Sequence, residues 1–251
     1  MDRATAEILI RLNQQFYQTF AEQFSATRQQ IQSGVRNVIR QIPPNCRILD
    51  LGCGNGRLWQ RLVELGFQGD YVGLDFSTGM LEVAEQQASL TVAKQPNLDH
   101  PLFMRADLTE NGWEKGVPHP VYDYVLAFAV LHHLPGELNV IQVLKQIHRF
   151  LTPGGNFIFS VWQFLNSPRL RERIQDWSEI GMSVSQVEQG DYLLDWRMGG
   201  HGLRYLHHFA ADELERLAIR CGFYKKEAFL SDGKGGNLSL YQTWIIENVI
   251  V

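Results

Sequence analysis

The sequence predicts an α/β protein built on a mostly parallel sheet with helices on both faces. Three observations carry that prediction. From residue 47 onward, short apolar runs alternate with helical stretches; a glycine-rich turn follows the first run; and aspartates stand at or beside the ends of the first three runs. With 251 residues, 45% of them hydrophobic and 20% charged, the chain can bury a sizeable core, and one large domain is the natural reading.

Two helices precede the first strand. Ile8, Leu12, Phe16 and Phe20 recur at helical spacing up to Phe24-Ser25-Ala26-Thr27-Arg28, and Val35, Val38, Ile39 and Ile42 mark a second helix stopped by Pro43-Pro44. The apolar runs at 47–51, 71–75, 102–107, 124–128 and 156–160 predict five buried strands. After Trp162 the alternation breaks for about 45 residues, until a helix over 212–220 resumes it. Within this insertion Leu170, Ile174 and Trp177 fall on one helical face. The segments 191–197 and 203–209 flank Met198-Gly199-Gly200-His201-Gly202 and predict a two-stranded arm. The chain closes with strands over 223–230 and 238–246, joined by a loop rich in glycine.

Composition narrows the class. The first residues lack the cationic and apolar regions of a secretory signal, and no run approaches the roughly 18 apolar residues of a spanning helix, so a cytoplasmic protein with no membrane association is expected. Cys46, Cys53 and Cys221 are odd in number and widely spaced, which suits neither a disulfide framework nor a paired-cysteine zinc site. The adjacent His207 and His208 have no further ligands at recognisable spacing, so no metal is expected. A net charge of -4 argues against a protein that coats nucleic acid, while leaving room for a local phosphate-binding patch.

The chemistry concentrates at Asp50-Leu51-Gly52-Cys53-Gly54-Asn55-Gly56. Glycines between a buried strand and a helix let the backbone turn tightly and let a ligand approach where a Cβ would obstruct it. Such a turn also serves plain connections and several nucleotide ligands. Asp75 ends the second strand nineteen residues beyond Gly56, where a carboxylate can accept from both ribose hydroxyls of an adenosine cofactor. Asp107, with Leu108 beside it, can accept from an adenine amino group; an exposed strand-end aspartate is the alternative for both. A nicotinamide enzyme needs Gly-x-Gly-x-x-Gly, and the loop here runs Gly52-x-Gly54-x-Gly56.

These motifs, followed by Tyr122-Asp123-Tyr124-Val125 and Leu151-Thr152-Pro153-Gly154-Gly155, arrive in the order of the class I S-adenosylmethionine-dependent methyltransferases, which residues 45–162 resemble. The resemblance implies a Rossmann-like αβα sandwich with seven strands, one of them antiparallel. It divides a single domain into an N-terminal helical lid (1–44), a cofactor core (45–162), a substrate-binding insertion (163–209) and a last helix with hairpin (210–251). It places S-adenosyl-L-methionine against Asp50, Gly52, Cys53, Gly54, Asn55 and Gly56, against Asp75, Phe76, Ser77 and Met80, against Asp107 and Leu108, and against Ala127, Phe128, Ala129 and His132.

Methyl transfer from a sulfonium is an in-line displacement that depends largely on positioning, so no catalytic triad is required. A carboxylate acceptor needs no base, whereas an amine or hydroxyl would call on His132 or His133 at the crevice mouth. Tyr17, Phe20-Ala21, Phe24-Ser25 and Thr27-Arg28, with Val130-Leu131-His132-His133, Val161-Trp162 and 204–209, resemble the tRNA wobble-uridine carboxymethyl methyltransferases. That resemblance implies that Tyr17 and Arg28 close over the cofactor and that Arg197 or Arg204 pairs with an acceptor carboxylate. Arg169, Arg171, Arg173, Lys225 and Lys226 are the basic residues available to RNA, and some relatives use a small partner subunit. The insertion lacks the family's proline after Leu194. A small-metabolite acceptor and a cofactor-binding scaffold without activity are the competing readings.

Overall fold

The computed structural model describes residues 1–20, 30–95 and 97–247. Its main sheet has seven strands in the order β3 (Leu102–Arg105), β2 (Tyr71–Asp75), β1 (Ile48–Leu51), β4 (Tyr122–Phe128), β5 (Leu151–Trp162), β10 (Ser239–Ile246) and β9 (Phe223–Ser231). The pairs among β1 to β5 are parallel, and β10 runs antiparallel to both β5 and β9. The predicted seven-stranded class I methyltransferase architecture is therefore present.

Side chains alternate across a strand, and that alternation builds two cores. Leu49, Leu51, Val72, Leu74, Val125, Phe157 and Phe159 face α5 (Glu137–Phe150) and α7 (Ala211–Arg220). Ile48, Tyr71, Leu126 and Ile158 face α2 (Ser33–Ile39), α3 (Arg57–Glu64) and α4 (Thr78–Val92). The strand order reverses between β1 and β4, and it is at the carboxyl ends of strands at such a switch point that an open sheet leaves a crevice.

The insertion departs from its predicted form. Instead of one helix and two strands it forms a three-stranded sheet, β6 (Ile174–Gln175), β7 (Asp191–Trp196) and β8 (Gly202–His207), preceded by the one-turn helix α6 (Pro168–Arg171). Leu170, Ile174 and Trp177 do not share a helix face: Ile174 pairs with Leu194 across β6 and β7, and Asp176 caps the next turn by accepting from Ser178 N at 2.8 Å. Leu170 and Ile174 pack with Leu194 and Leu206, whereas Trp177 packs with Leu9, Leu193 and Tyr205, on opposite faces of this small sheet.

Helix α1 (Arg3–Thr19) covers the second of those faces. Its buried stripe is Thr5, Ala6, Leu9, Asn13 and Phe16, while Ile8 is exposed, so the helix is rotated from the face that Ile8 and Leu12 define. The polar Asn13 sits in that stripe because its amide completes the edge of β8: it accepts from Tyr205 N at 2.8 Å and donates to Tyr205 O at 3.2 Å. No helix among the described residues is long and apolar enough to cross a membrane.

Candidate active site

The three glycines after β1 all adopt positive φ, and they serve two different purposes. A Cβ on Gly52 would meet Val130 at 2.5 Å, and one on Gly56 would meet Ala84 at 2.9 Å. On Gly54 it would meet nothing within 4 Å. Gly52 and Gly56 are therefore needed for packing, whereas Gly54 keeps a space open above the strand ends, as a loop that admits a ligand must.

The carboxylates behind this loop are held by fixed donors. Asp75 accepts from Gly54 N and from Ser77 N, both at 2.9 Å. Burial raises its pKa, against the pull of those N–H groups. Asp50 is fully enclosed and accepts from Tyr71 Oη at 2.5 Å. Burial pushes its pKa up to about 7; the Tyr71 bond opposes this and the neighbouring Asp75 adds to it. An acid poised near neutrality beneath the open loop favours a cationic group over a neutral one, which fits the ammonium and sulfonium of the expected cofactor.

A cavity of about 380 Å³ opens above these groups, within the range of small-molecule sites. Of the residues expected at the cofactor, it is lined by Asp50, Gly52, Cys53, Gly54, Asn55, Asp75, Phe76, Ser77, Met80, Asp107, Leu108, Phe128 and Ala129, with Tyr17 above them. Three others do not reach it. Gly56 is turned toward Ala84 and Phe103. Ala127 lies inside β4, fully buried in the core against α5. His132 is 2% exposed and points away, its Nδ1 accepting from Trp162 N at 3.3 Å. Arg28 lies outside the described residues.

His133, the other half of the pair, takes the place expected for His132. It lines the cavity, and its Nε2 is 2.7 Å from Tyr17 Oη. Consecutive side chains diverge, and the turn at Leu131–His133 gives the cavity the second ring. The left-handed Ala129, whose N–H donates to Ser160 Oγ at 3.0 Å and Ser160 O at 3.1 Å, starts that turn.

Sequence reasoning also missed Ile10, Asn13 and Gln14. With Tyr17 they form one helical face of α1, spaced three, one and three residues apart, and only the aromatic residue drew notice. Gln14 Nε2 donates to Asp107 Oδ2 at 2.6 Å, and Thr109 holds the other oxygen through N at 2.9 Å and Oγ1 at 2.6 Å.

The two arginines proposed for the acceptor are unlike each other. Arg197 has a side chain 61% exposed and pairs with Asp195 at 2.6 Å, away from the cavity. Arg204 is 4% exposed, with its guanidinium carbon 5.0 Å from the ring centre of Trp162, 5.3 Å from Phe16 and 5.6 Å from Trp196. No acid pairs with it among the described residues, and its Nε has no hydrogen-bond partner. It does not line the cavity itself but lies one ring behind it, since Phe16 makes an edge contact with Tyr17 at 5.0 Å. His207 is structural: it bridges Asp191 at 2.6 Å and Glu213 at 2.9 Å, joining β7, β8 and α7. Burial works against its charge, but the two carboxylates outweigh burial and push its pKa up to about 9.

Comparison with known proteins resolves the class. Residues 42–211, well over half of the chain, match a family model described as a methyltransferase domain. The chain belongs to that methyltransferase family. Its methyl donor is S-adenosylmethionine. An Encephalitozoon cuniculi protein named a methyltransferase is 27% identical over 214 residues, covering 85% of this chain and 87% of that one. The tRNA (carboxymethyluridine(34)-5-O)-methyltransferase of Schizosaccharomyces pombe is 24% identical over 59% of this chain and 56% of its own length. The demethylmenaquinone methyltransferase of Bacillus cereus is 33% identical over 48% and 46%. Beyond the first of these, the similarity spans about half of each relative. The glycopeptide N-methyltransferase MtfA, in a structure holding S-adenosylmethionine, superposes with a TM-score of 0.61 at 18% identity over 85% of this chain and 93% of its own, which establishes the shared fold.

Proposed function

We propose that this methyltransferase esterifies an acceptor carboxylate, and that the acceptor is a carboxymethyl group on a modified uridine of tRNA. In this reading the loop from Gly52 to Asn55 takes the donor's methionine portion and Asp75 its ribose, with Phe76, Ser77 and Met80 alongside and Tyr17 closing the site. The donor supplies an electrophilic methyl group. A carboxylate oxygen forms the new C–O bond as the S–CH₃ bond breaks, and the thioether leaves neutral, so no base is consumed.

Arg204 carries the proposal. Removing a guanidinium from water costs several kcal/mol, and cation–π contacts return about 2 kcal/mol where they are desolvated. The remaining deficit is what a planar carboxylate, pairing bidentately with the fork, would remove. An amine acceptor would be repelled there. Support for RNA comes from the exposed Arg169 and Arg171 and the half-buried Arg173, next to the small sheet, none with an acid partner among the described residues. Lys225 and Lys226 contribute nothing to that face, being tied on the far edge strand to Glu215 at 3.5 Å and Asn156 at 3.2 Å. The Schizosaccharomyces relative, whose name states this reaction, adds weight.

The test is transfer of labelled methyl into a cellular tRNA fraction and a small-metabolite fraction side by side. Label on tRNA that mild base releases as methanol is the expected result. Base-stable label contradicts a carboxylate acceptor, and label confined to metabolites contradicts tRNA.

A further inference from the structure

Asp107 was expected to accept directly from the adenine amino group. In the folded chain its carboxylate is largely occupied by protein donors. Of about four lone-pair sites on a carboxylate, Thr109 fills two through its N and Oγ1, and Gln14 Nε2 fills a third at 2.6 Å. Gln14 comes from α1 and lines the cavity with Asp107, and its Oε1 has no partner among the described residues. Ile10, Ala106, Leu108 and Leu134 form apolar walls around this end.

The orientation of a glutamine amide is ordinarily ambiguous, because its oxygen and nitrogen can exchange places. Here it is fixed. An ionised carboxylate can only accept, so the Gln14 nitrogen must face Asp107, and the oxygen must face away from it. One amide hydrogen is spent on Asp107, which leaves Gln14 one donor and one acceptor side by side. That pair matches the edge of adenine, where an amino donor adjoins a ring-nitrogen acceptor, and glutamine is a residue that meets this edge with two bonds. Asp107 alone offers acceptors only and has nothing for the ring nitrogen.

We propose that Gln14 is the residue that reads the adenine edge of the methyl donor, with Asp107 acting as the positioning residue that sets which way the amide points. The consequence is a preference for 6-amino over 6-oxo purines, since a hypoxanthine edge would set its carbonyl oxygen against Gln14 Oε1. It also ties α1 to the bound donor: the helix that packs on the small sheet is the one that contacts the base.

The test is calorimetric titration of the full chain with S-adenosylhomocysteine and with its 6-oxo counterpart, S-inosylhomocysteine, which needs no turnover. Gln14→Leu is expected to weaken S-adenosylhomocysteine binding by about tenfold and to erase most of the preference over the inosyl analogue. Asp107→Asn is expected to relax that preference as well, because an amide at 107 can donate to Gln14 Oε1 and allow it to turn over. Gln15→Leu, on the exposed side of α1, should change neither quantity. If Gln14→Leu weakens both ligands equally, Gln14 only supports the helix and the proposal fails. It fails also if Gln14→Leu leaves the preference intact while Asp107→Asn destroys it, since Asp107 would then read the base directly.

Discussion

The donor side and the insertion treat buried charge in opposite ways. At the donor side Asp75 and Asp107 are held by backbone and side-chain donors, and Asp50 by Tyr71, so each of these carboxylates has its partners within the protein. In the insertion, Arg204 is packed among three rings with no acid paired to it among the described residues, while Asp195 on the neighbouring strand gives one oxygen to the exposed Arg197 and keeps the other buried without a partner. A fold can tolerate an incomplete site where something else completes it. Under the proposed assignment, the difference is that donor recognition is built mainly from main-chain geometry, whereas acceptor recognition rests on a few side chains of an inserted sheet.

The sharpest way to break the donor half is Gly54→Val. A β-branched residue at φ +55 is strained, by roughly 1–2 kcal/mol, and its side chain would fill the space now open to the cavity. Calorimetry should show S-adenosylhomocysteine affinity falling by about a hundredfold or more, with the thermal transition lowered but cooperative. Retained affinity would show that the open space is not the donor site.

A smaller effect sharpens the same half. Asp50 has its pKa raised to about 7 in the free protein, so it ionises as pH rises through neutrality, and its ionised form attracts a cationic ligand. Binding of S-adenosylhomocysteine, which carries an ammonium, should tighten severalfold from pH 6 to 7.5 and then level. Asp50→Asn should flatten that profile.

The smallest effect concerns the insertion's attachment. His207, raised to about 9 by Asp191 and Glu213, binds its proton more tightly folded than unfolded. Its stabilisation is complete below the ordinary histidine value near 6.5 and fades as pH rises through about 9. The melting temperature should drop by a few degrees across that window, and His207→Gln should remove the dependence without changing donor affinity.

How far the sequence disclosed the site follows the same division. Asp50, Gly52, Gly54 and Asp75 were legible because strand ends and tight turns restrict which residues can stand there. Gln14 was not, nor was which of His132 and His133 faces the cavity. Two adjacent histidines differ only in the direction a short turn gives them, and a glutamine on a helix reads as solvated until the facing strand end is known. Asn13 was hidden for the same reason, since it completes the edge of a strand almost two hundred residues away. Ile174 was read as helical because its spacing from Leu170 suits a helix, although in a segment this short the pairing with Leu194 decides the structure.

The most direct test of the acceptor assignment is Arg204→Met, which keeps the side chain's bulk among Phe16, Trp162 and Trp196 while removing the charge. Turnover of carboxymethylated tRNA and affinity for S-adenosylhomocysteine should be measured on the same preparation. Loss of about a hundredfold or more in kcat/KM, with donor affinity unchanged and the melting temperature equal or higher because an uncompensated charge is gone, is the predicted result. Undiminished kcat/KM in a folded Arg204→Met protein would contradict it.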